Sequence, residues 1–424
     1  MSAGRRLAVI GGGWAGIAAA VEATLHGHSV HLFEMAPQLG GRARSFTVDG
    51  IEVDNGQHIA IGAYAETLAL MNRVGVDPAQ AFLRMPLRLV DAQGVGLRLR
   101  SGAPSLAFAA AVLAHPAWGW GDKLGLLGIA AGWTVRGFRC DPEWTVQRLA
   151  ARISPAVQRE LIEPLCVAAL NTEAGDASAS VFLRVLKDAL FSGPGASDLL
   201  LPRVPLSGVL PSPAGNWLRA RGADLRLGHR AMRIEPRGDG WHVDRLAVDG
   251  VILATTATEA ARLTLDVAPN WSRSTHALAW EPIVTVYAHG DAACLDEPML
   301  TLAAGPEAPA QFVFDRGRLG GPAGLLAFVV SGARDWASQG SDATWGAVQR
   351  QAQTQLAHQG IGPLRRLKTV VEHRATFRCL PGLARPESTV RPNLTAAGDY
   401  VAGPYPATLE GAVRSGIAAA RQFG

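Results

Sequence analysis

Four glycines in Gly11-Gly12-Gly13-Trp14-Ala15-Gly16 stand where a chain can hold phosphate. They follow the apolar run Leu7 to Ile10 and precede an Ala-rich stretch, which reads as strand, tight turn and helix. In that geometry Gly11 permits the turn, Gly13 lets backbone approach a pyrophosphate, and Gly16 lets the helix pack close on the strand. The phosphate then lies at the helix N-terminus, on the turn that also carries Trp14 and Ala15. His26-Gly27-His28 stops the helix and Val30 to Phe33 makes the next strand. Glu34 ends that strand where a carboxylate meets the ribose hydroxyls of an adenosine. The expected ligand is a dinucleotide.

Gly40-Gly41-Arg42 narrows the dinucleotide to a flavin. A glycine pair just after the ribose carboxylate brings a second loop against the pyrophosphate, with Arg42 expected to meet it through its planar guanidinium fork. Domains that bind only NAD usually lack this loop. Asp54-Asn55-Gly56-Gln57-His58 follows, polar residues around a glycine between apolar flanks. It reads as a loop beside the ligand, with Gln57 and His58 reaching it, or more plainly as a capped turn into a helix from Tyr64 to Val74. Near the C-terminus, Leu394 to Ala397 is a strand ended by Gly398-Asp399, whose carboxylate suits a ribityl hydroxyl. The last helix opens at Thr408-Leu409, and its free N–H groups favour negative charge on the flavin pyrimidine. The cofactor expected is FAD.

Between these blocks lie the elements that must position them. The expected fold class is α/β, a Rossmann-like FAD-binding domain with a discontinuous substrate domain of mixed sheet and apolar helices. Residues 1–75, 206–270 and 385–424 are assigned to the FAD domain, 76–205 to an apolar helical substrate region, and 271–384 to a substrate sheet and helix. Leu106 to Leu113 and Leu124 to Val135 are strongly apolar but too short to span a bilayer. They are expected as buried helices lining an apolar pocket, with a surface that dips into a membrane as the alternative, because Trp118, Trp120 and Trp133 sit near their ends. Glu163 and Asn171 are polar in apolar company and need partners if buried.

Composition limits the remaining classes. The 424 residues are 48% hydrophobic, enough for a large core. A net charge of +4, spread without a basic patch or interleaved aromatics, argues against nucleic acid. Cys140, Cys166, Cys294 and Cys379 have neither CxxC nor metal-ligand spacing, so no metal is expected and the compartment is read as the reducing cytoplasm. Cys166 reads as a core residue, because no base accompanies it.

Three separated blocks carry a resemblance: GGGWAGIAAA with LFE and LGGRAR, then DNGQHI, then AGDYVAGPYPATLEGAVRSG. Together they resemble the flavin-containing amine oxidase and phytoene desaturase superfamily. DNGQHIAIGAY, EPLCVAALNT with DASAS, LPRVPLS and PATLEGAVRSG further resemble its squalene-associated branch, the hydroxysqualene dehydroxylases of bacterial squalene and hopanoid biosynthesis. One departure falls at Glu163, in a stretch where that family favours Trp-Xaa-Pro-Leu, and it weakens an acid role there.

The resemblance implies reductive dehydroxylation of an apolar isoprenoid. An allylic hydroxyl leaves as water and a hydride from reduced FAD replaces it. Hydroxide leaves poorly, so an acid must protonate it, and His58, Glu163 and Tyr405 are the candidates, with Asp54 behind them. His58 is favoured as acid, although a structural histidine is the plainer reading of it. A hydroxysqualene-forming synthase is the implied partner, and contact with the inner face of the cell membrane follows from so apolar a substrate. The rival readings are a carotenoid-type desaturase or amine oxidase running the flavin oxidatively, and, in a different class, a non-redox prenyl-lipid carrier.

Overall fold

A computed structural model describes residues 4–424. Its first strand, Arg6–Ile10, is buried along nearly its whole length, as a parallel strand covered on both faces must be. It is paired in parallel with Ser29–Glu34 on one side and Gly250–Leu253 on the other. Asp224–Leu227 and Leu394–Ala396 extend the sheet in parallel, and Thr389–Arg391 closes one edge antiparallel. This six-stranded sheet therefore gathers strands from three distant stretches of chain. A short meander of Ile234–Arg237, Gly240–Val243 and Leu246–Val248 precedes the strand at Gly250.

The helix Trp14–Leu25 is Ala-rich because the sheet and the last helix, Leu409–Arg421, both press against it. A Cβ on Gly16 would stand 1.8 Å from the Gly11 carbonyl oxygen, and one on Gly416 would stand 2.1 Å from that of Ala15. Only hydrogen fits at either position.

A second, five-stranded antiparallel sheet runs in the order Met299–Thr301, Phe312–Asp315, Leu325–Val330, Trp280–His289 and Arg365–Phe377. Its alternation divides two cores. Val284, Val286, Phe328 and Val330 pack with Val348 and Ala352 of the helix Ser341–Gln355. Tyr287, Ala327, Val329, Phe312 and Phe314 pack the other way, with Val53 and Leu201. That second side faces the loop that runs into Gln57-His58.

The helical region holds Pro104–Ala114, Trp120–Val135, Glu163–Leu170 and Ala179–Phe191. Pro164 lacks the N–H that an α-turn needs, and a π-helical turn at Gln158–Ile162 takes up the fault just before it. Asn171 ends that helix in the left-handed conformation at φ 47. Its amide donates to Thr376 Oγ1 and to the carbonyls of Glu281 and Pro282 and accepts from Gly332 N–H, joining the helices to the five-stranded sheet. The expectation that both apolar runs are buried needs correction. Each helix buries one side, through Ala111, Val112, Leu126 and Trp133, while Leu106, Leu113, Trp120, Leu124 and Val135 are exposed.

Replacing Gly416 by Val should force the first and last helices apart. The expected cost is about 2–3 kcal/mol, read as a lower denaturant midpoint with an unchanged slope. An unaltered midpoint would refute this account of the helix contact.

Candidate flavin site

The glycine loop forms as its spacing requires. Gly11 takes φ +107 and donates its N–H to Phe33 O at 2.7 Å, turning the chain out of the sheet. Gly13 caps the helix without a side chain, so no side chain crowds the first turn. Among the described residues, nothing accepts from the N–H groups of Ala15 and Gly16. The Trp14 side chain points away into the core, where its indole donates to Ala43 O at 3.1 Å. It braces the second glycine loop, so its contribution to a ligand site is its backbone.

That second loop lies against the first. Gly40 N–H donates to Gly12 O at 2.8 Å and pairs as an isolated bridge with Gly13. Gly41 sits at φ +59, and a Cβ there would be 3.1 Å from Gly13 Cα. Two glycine backbones thus face one another beside unpartnered N–H groups, the kind of wall a pyrophosphate needs. Glu34 is buried at the end of its strand, one oxygen accepting from Gly12 N–H at 2.6 Å and the other from Ala36 N–H at 2.7 Å. A carboxylate has about four lone-pair positions, so two remain for ribose hydroxyls.

The Arg42 side chain does not stand free of the protein. At most three of its five N–H groups are engaged, donating to Asp399 Oδ1 at 2.5 Å and to the carbonyl oxygens of Ala375 and Arg374. Burial opposes its charge, and the Asp399 carboxylate more than restores it, leaving Arg42 more firmly protonated than usual. Asp399 keeps one oxygen free for a ribityl hydroxyl. Gly398 is held by its N–H to Ser415 Oγ, 2.8 Å.

At the other end of the site, Thr408 spends its hydroxyl on the helix cap, donating to Tyr405 O and accepting from Gly411 N–H. Its hydroxyl proton is therefore committed, and one lone pair remains. Among the described residues the N–H groups of Leu409 and Glu410 have no acceptor, which leaves a partial positive end for the pyrimidine of a flavin. Glu410, fully buried, fixes this helix by accepting from Glu66 N–H, from Thr67 N–H and hydroxyl, and from Arg414.

The Asp54–His58 loop is anchored from three sides. Asp49 and Gly50, both at positive φ, close the hairpin Ser45–Val48 and Ile51–Asp54. Asp54 accepts from Ser45 Oγ at 2.7 Å and from Leu206 N–H at 2.9 Å, while Ser45 and Ser207 exchange two bonds. This accounts for the LPRVPLS block, whose Leu206 and Ser207 hold the hairpin. Tyr287 donates to Asp54 O, Arg316 donates to Gln57 Oε1, and Asn55 bridges Arg42 O to Glu372. Asp54 is thus a structural anchor. Asn55 Oδ1 and Gln57 Nε2 are buried with no hydrogen-bond partner in the protein.

His58 Nδ1 stands 2.8 Å from Gly56 O, so it carries the proton and Nε2 offers a lone pair. Burial lowers its pKa and Arg42 lowers it further; the Gly56 carbonyl, Asp54 and Glu372 oppose the shift. Arg42 and His58 are each partly buried and keep some accessible surface. Tyr405, at φ +56, meets Tyr64 edge-on at 6.1 Å and lines a cavity of about 400 Å³ with Arg184, Arg385 and Ser180. Its phenol is pushed up by burial and by Asp188, so it stays protonated. Glu163 is exposed at its helix start and accepts no hydrogen bond among the described residues, which removes the geometric basis for an acid role there. Burial pushes the Cys166 thiol up to about 12, consistent with a core residue. Arg316, Glu372 and Tyr287 were not legible in the sequence, because each reaches the loop only through the five-stranded sheet.

The doubly walled glycine cradle on a parallel sheet, joined to a second antiparallel sheet, defines a dinucleotide-dependent oxidoreductase. The chain belongs to the flavin containing amine oxidoreductase family, whose sequence profile matches residues 14–423. It is accordingly an FAD-dependent oxidoreductase. Among curated proteins it is similar to the hydroxysqualene dehydroxylase of Rhodopseudomonas palustris, 30% identical over 97% of this chain and 96% of that one. The hydroxysqualene dehydroxylase of Sinorhizobium fredii is 28% identical over the same shares. The crystal structure of an oxidoreductase from Methanosarcina mazei has the same fold, with a TM-score of 0.74 at 15% identity, covering 98% of this chain and all of that one.

Substituting Gly41 by Val places a side chain against Gly13. The variant should fold, as judged by circular dichroism, yet purify without flavin absorbance; full flavin content would show that the cradle lies elsewhere.

Proposed function

We propose that this enzyme catalyses the reductive dehydroxylation of hydroxysqualene to squalene, as a step of bacterial squalene and hopanoid biosynthesis. The observation that carries the reading is the similarity to hydroxysqualene dehydroxylases along essentially the entire chain. In balance, the substrate C–O bond breaks, water leaves with one added proton, and a hydride takes the carbon. FAD, bound in its reduced form, supplies the hydride.

The chain's own residues supply binding and proton handling. Residues 1–75, 206–270 and 385–424 form the FAD-binding unit in this reading, with 76–205 and 271–384 as the substrate unit. Gly11, Gly13, Trp14, Ala15, Gly16 and Gly41 offer backbone to the pyrophosphate, Glu34 takes the ribose and Asp399 the ribityl chain. Gln57 presents its unpartnered N–H groups, and Leu409 its backbone N–H, toward the flavin. Arg42 acts by holding Asp399.

His58 is the acid of choice. Its Nε2 takes up a proton while Nδ1–H stays with Gly56 O, and the resulting imidazolium, disfavoured by burial, gives the proton readily to a departing hydroxyl. Tyr405 is the second candidate, a phenol that stays protonated on the wall of the neighbouring cavity. Apolar helices around the substrate exclude water from the developing allylic cation. A hydroxysqualene-forming synthase as supplier and a position at the cytoplasmic face of the membrane complete the reading. Among the described residues no helix is long and apolar enough to cross a membrane.

Anaerobic incubation of the reduced holoenzyme with hydroxysqualene should yield squalene by mass spectrometry. Absence of squalene, with desaturation of a carotenoid or oxidation of an amine under air, would overturn the reading. The pH dependence tests His58. Because its pKa lies below the ordinary value of about 6.5, the charged form grows as pH falls, and kcat/KM should rise by up to about tenfold per unit toward that pKa. His58→Ala, with flavin bound, should lose about 100-fold and flatten the profile, whereas Tyr405→Phe should lower the rate at every pH equally if the phenol is the donor.

A further inference from the structure

Six of the eleven large apolar side chains exposed among the described residues are Leu106, Leu113, Trp120, Leu124, Val135 and Phe191. They belong to one region. On Pro104–Ala114 the exposed positions are Leu106, Ala110, Leu113 and the terminal Ala114, and on Trp120–Val135 they include Trp120, Leu124, Gly128, Ala131 and Val135. Both spacings return to one side of a helix. The two helices pack together, Ala179–Phe191 packs on the first, and Phe191 meets Phe138 at 4.9 Å. A broad apolar face results, with Trp120 69% and Val135 88% exposed.

Charge selects what covers it. Residues 98–140 carry Arg98, Arg100, Lys123, Arg136 and Arg139 against a single acid, Asp122. Asp122 caps its own helix, accepting from Gly119 N–H, and Asp141 and Glu143 follow the stretch, so cations still outnumber acids five to three over residues 98–143. A second copy of this chain would bring one set of arginines against another, whereas an anionic surface would attract both the charge and the apolar stripe. The 16-residue helix Trp120–Val135 is about 24 Å long, which suits lying along a surface rather than crossing a bilayer.

We propose that this two-helix face docks the enzyme on an anionic lipid bilayer. Leu106, Leu113, Trp120, Leu124, Val135 and Phe191 enter the boundary between headgroups and acyl chains, and the flanking arginines meet lipid phosphate. The proposal deepens the functional reading above by naming the surface through which an apolar substrate arrives. Helix Ala179–Phe191 links that surface to the site: Ser180, Val181 and Arg184 line the cavity beside Tyr405, and Phe191 lies about 10–16 Å farther along its axis.

Flotation of the full-length FAD-loaded protein tests the docking without turnover, so it stands or falls apart from the substrate assignment. The protein should float with vesicles of mixed phosphatidylglycerol and phosphatidylcholine, and at least about tenfold less with phosphatidylcholine alone or in high salt. Leu124→Glu with Val135→Glu, and separately Leu106→Glu, should each weaken flotation by about tenfold or more while keeping flavin absorbance as evidence of folding. In unaltered protein, brominated lipids should quench tryptophan emission, and Trp120→Phe should remove much of that quenching. No flotation, no quenching, or flotation unaffected by the charged variants would overturn the proposal. So would a wild-type dimer that these variants convert to monomer, because the face would then belong to a second copy.

Discussion

Arg42 is a partly buried cation, and such a charge persists only where paired and hydrogen-bonded. Its pairing draws three parts of the chain to one point. Asp399 comes from beyond the last parallel strand, the carbonyls of Arg374 and Ala375 come from the edge of the antiparallel sheet, and Trp280 faces the guanidinium at 5.7 Å. Its own carbonyl then accepts from Asn55, which also reaches Glu372. The two sheets are joined at this cation, and His58 lies near enough to feel its charge. Moving either sheet would break the pairing of a partly buried charge, so the relative position of cradle and cover is set electrostatically as well as by apolar packing.

The Asp54–His58 loop shows the complementary device, a polar segment made rigid by spending its polar groups elsewhere. Asp54, the Asn55 amide N–H groups and the Gln57 side-chain carbonyl oxygen are engaged by Ser45, Leu206, Tyr287, Arg42, Glu372 and Arg316. What remains unpartnered is small and specific: Gln57 Nε2, Asn55 Oδ1 and the Nε2 lone pair of His58. A site so supported keeps its free groups aimed without waiting for a ligand to order them. Around it, the helical region supplies apolar volume inward and an unpartnered apolar face outward, two uses of the same Ala- and Leu-rich segments.

The short-range part of this architecture was legible in the sequence. Strand, glycine turn and helix from Arg6 to Leu25, the carboxylate at Glu34 and the closing helix at Thr408 are local patterns, and their meaning depends on residues within one or two turns. Glu163 and Arg42 show where that reading stops. A glutamate before Pro-Leu in an apolar stretch looks buried, but the π-helical turn ahead of Pro164 leaves it exposed. An arginine after two glycines looks free to grip phosphate, but Asp399, more than 350 residues away, engages part of it. Likewise the apolar runs near Leu106 and Leu124 carried too little polar periodicity to show which side would be left uncovered.

By itself the sequence determined the cofactor class, because phosphate binding by backbone needs glycine at fixed offsets and those offsets are written in the chain. It also placed the strands and helix around the glycine turn and the strand before Gly398, since period and turn chemistry are local, whereas the antiparallel sheet was expected only as a sheet somewhere in 271–384. Only the tertiary structure decided what each polar side chain is free to do. Hydrogen-bonding capacity is finite, and the partners that occupy part of it at Arg42, Asp54 and Thr408, or leave it open at His58 and Gln57, are brought together by folding rather than by adjacency.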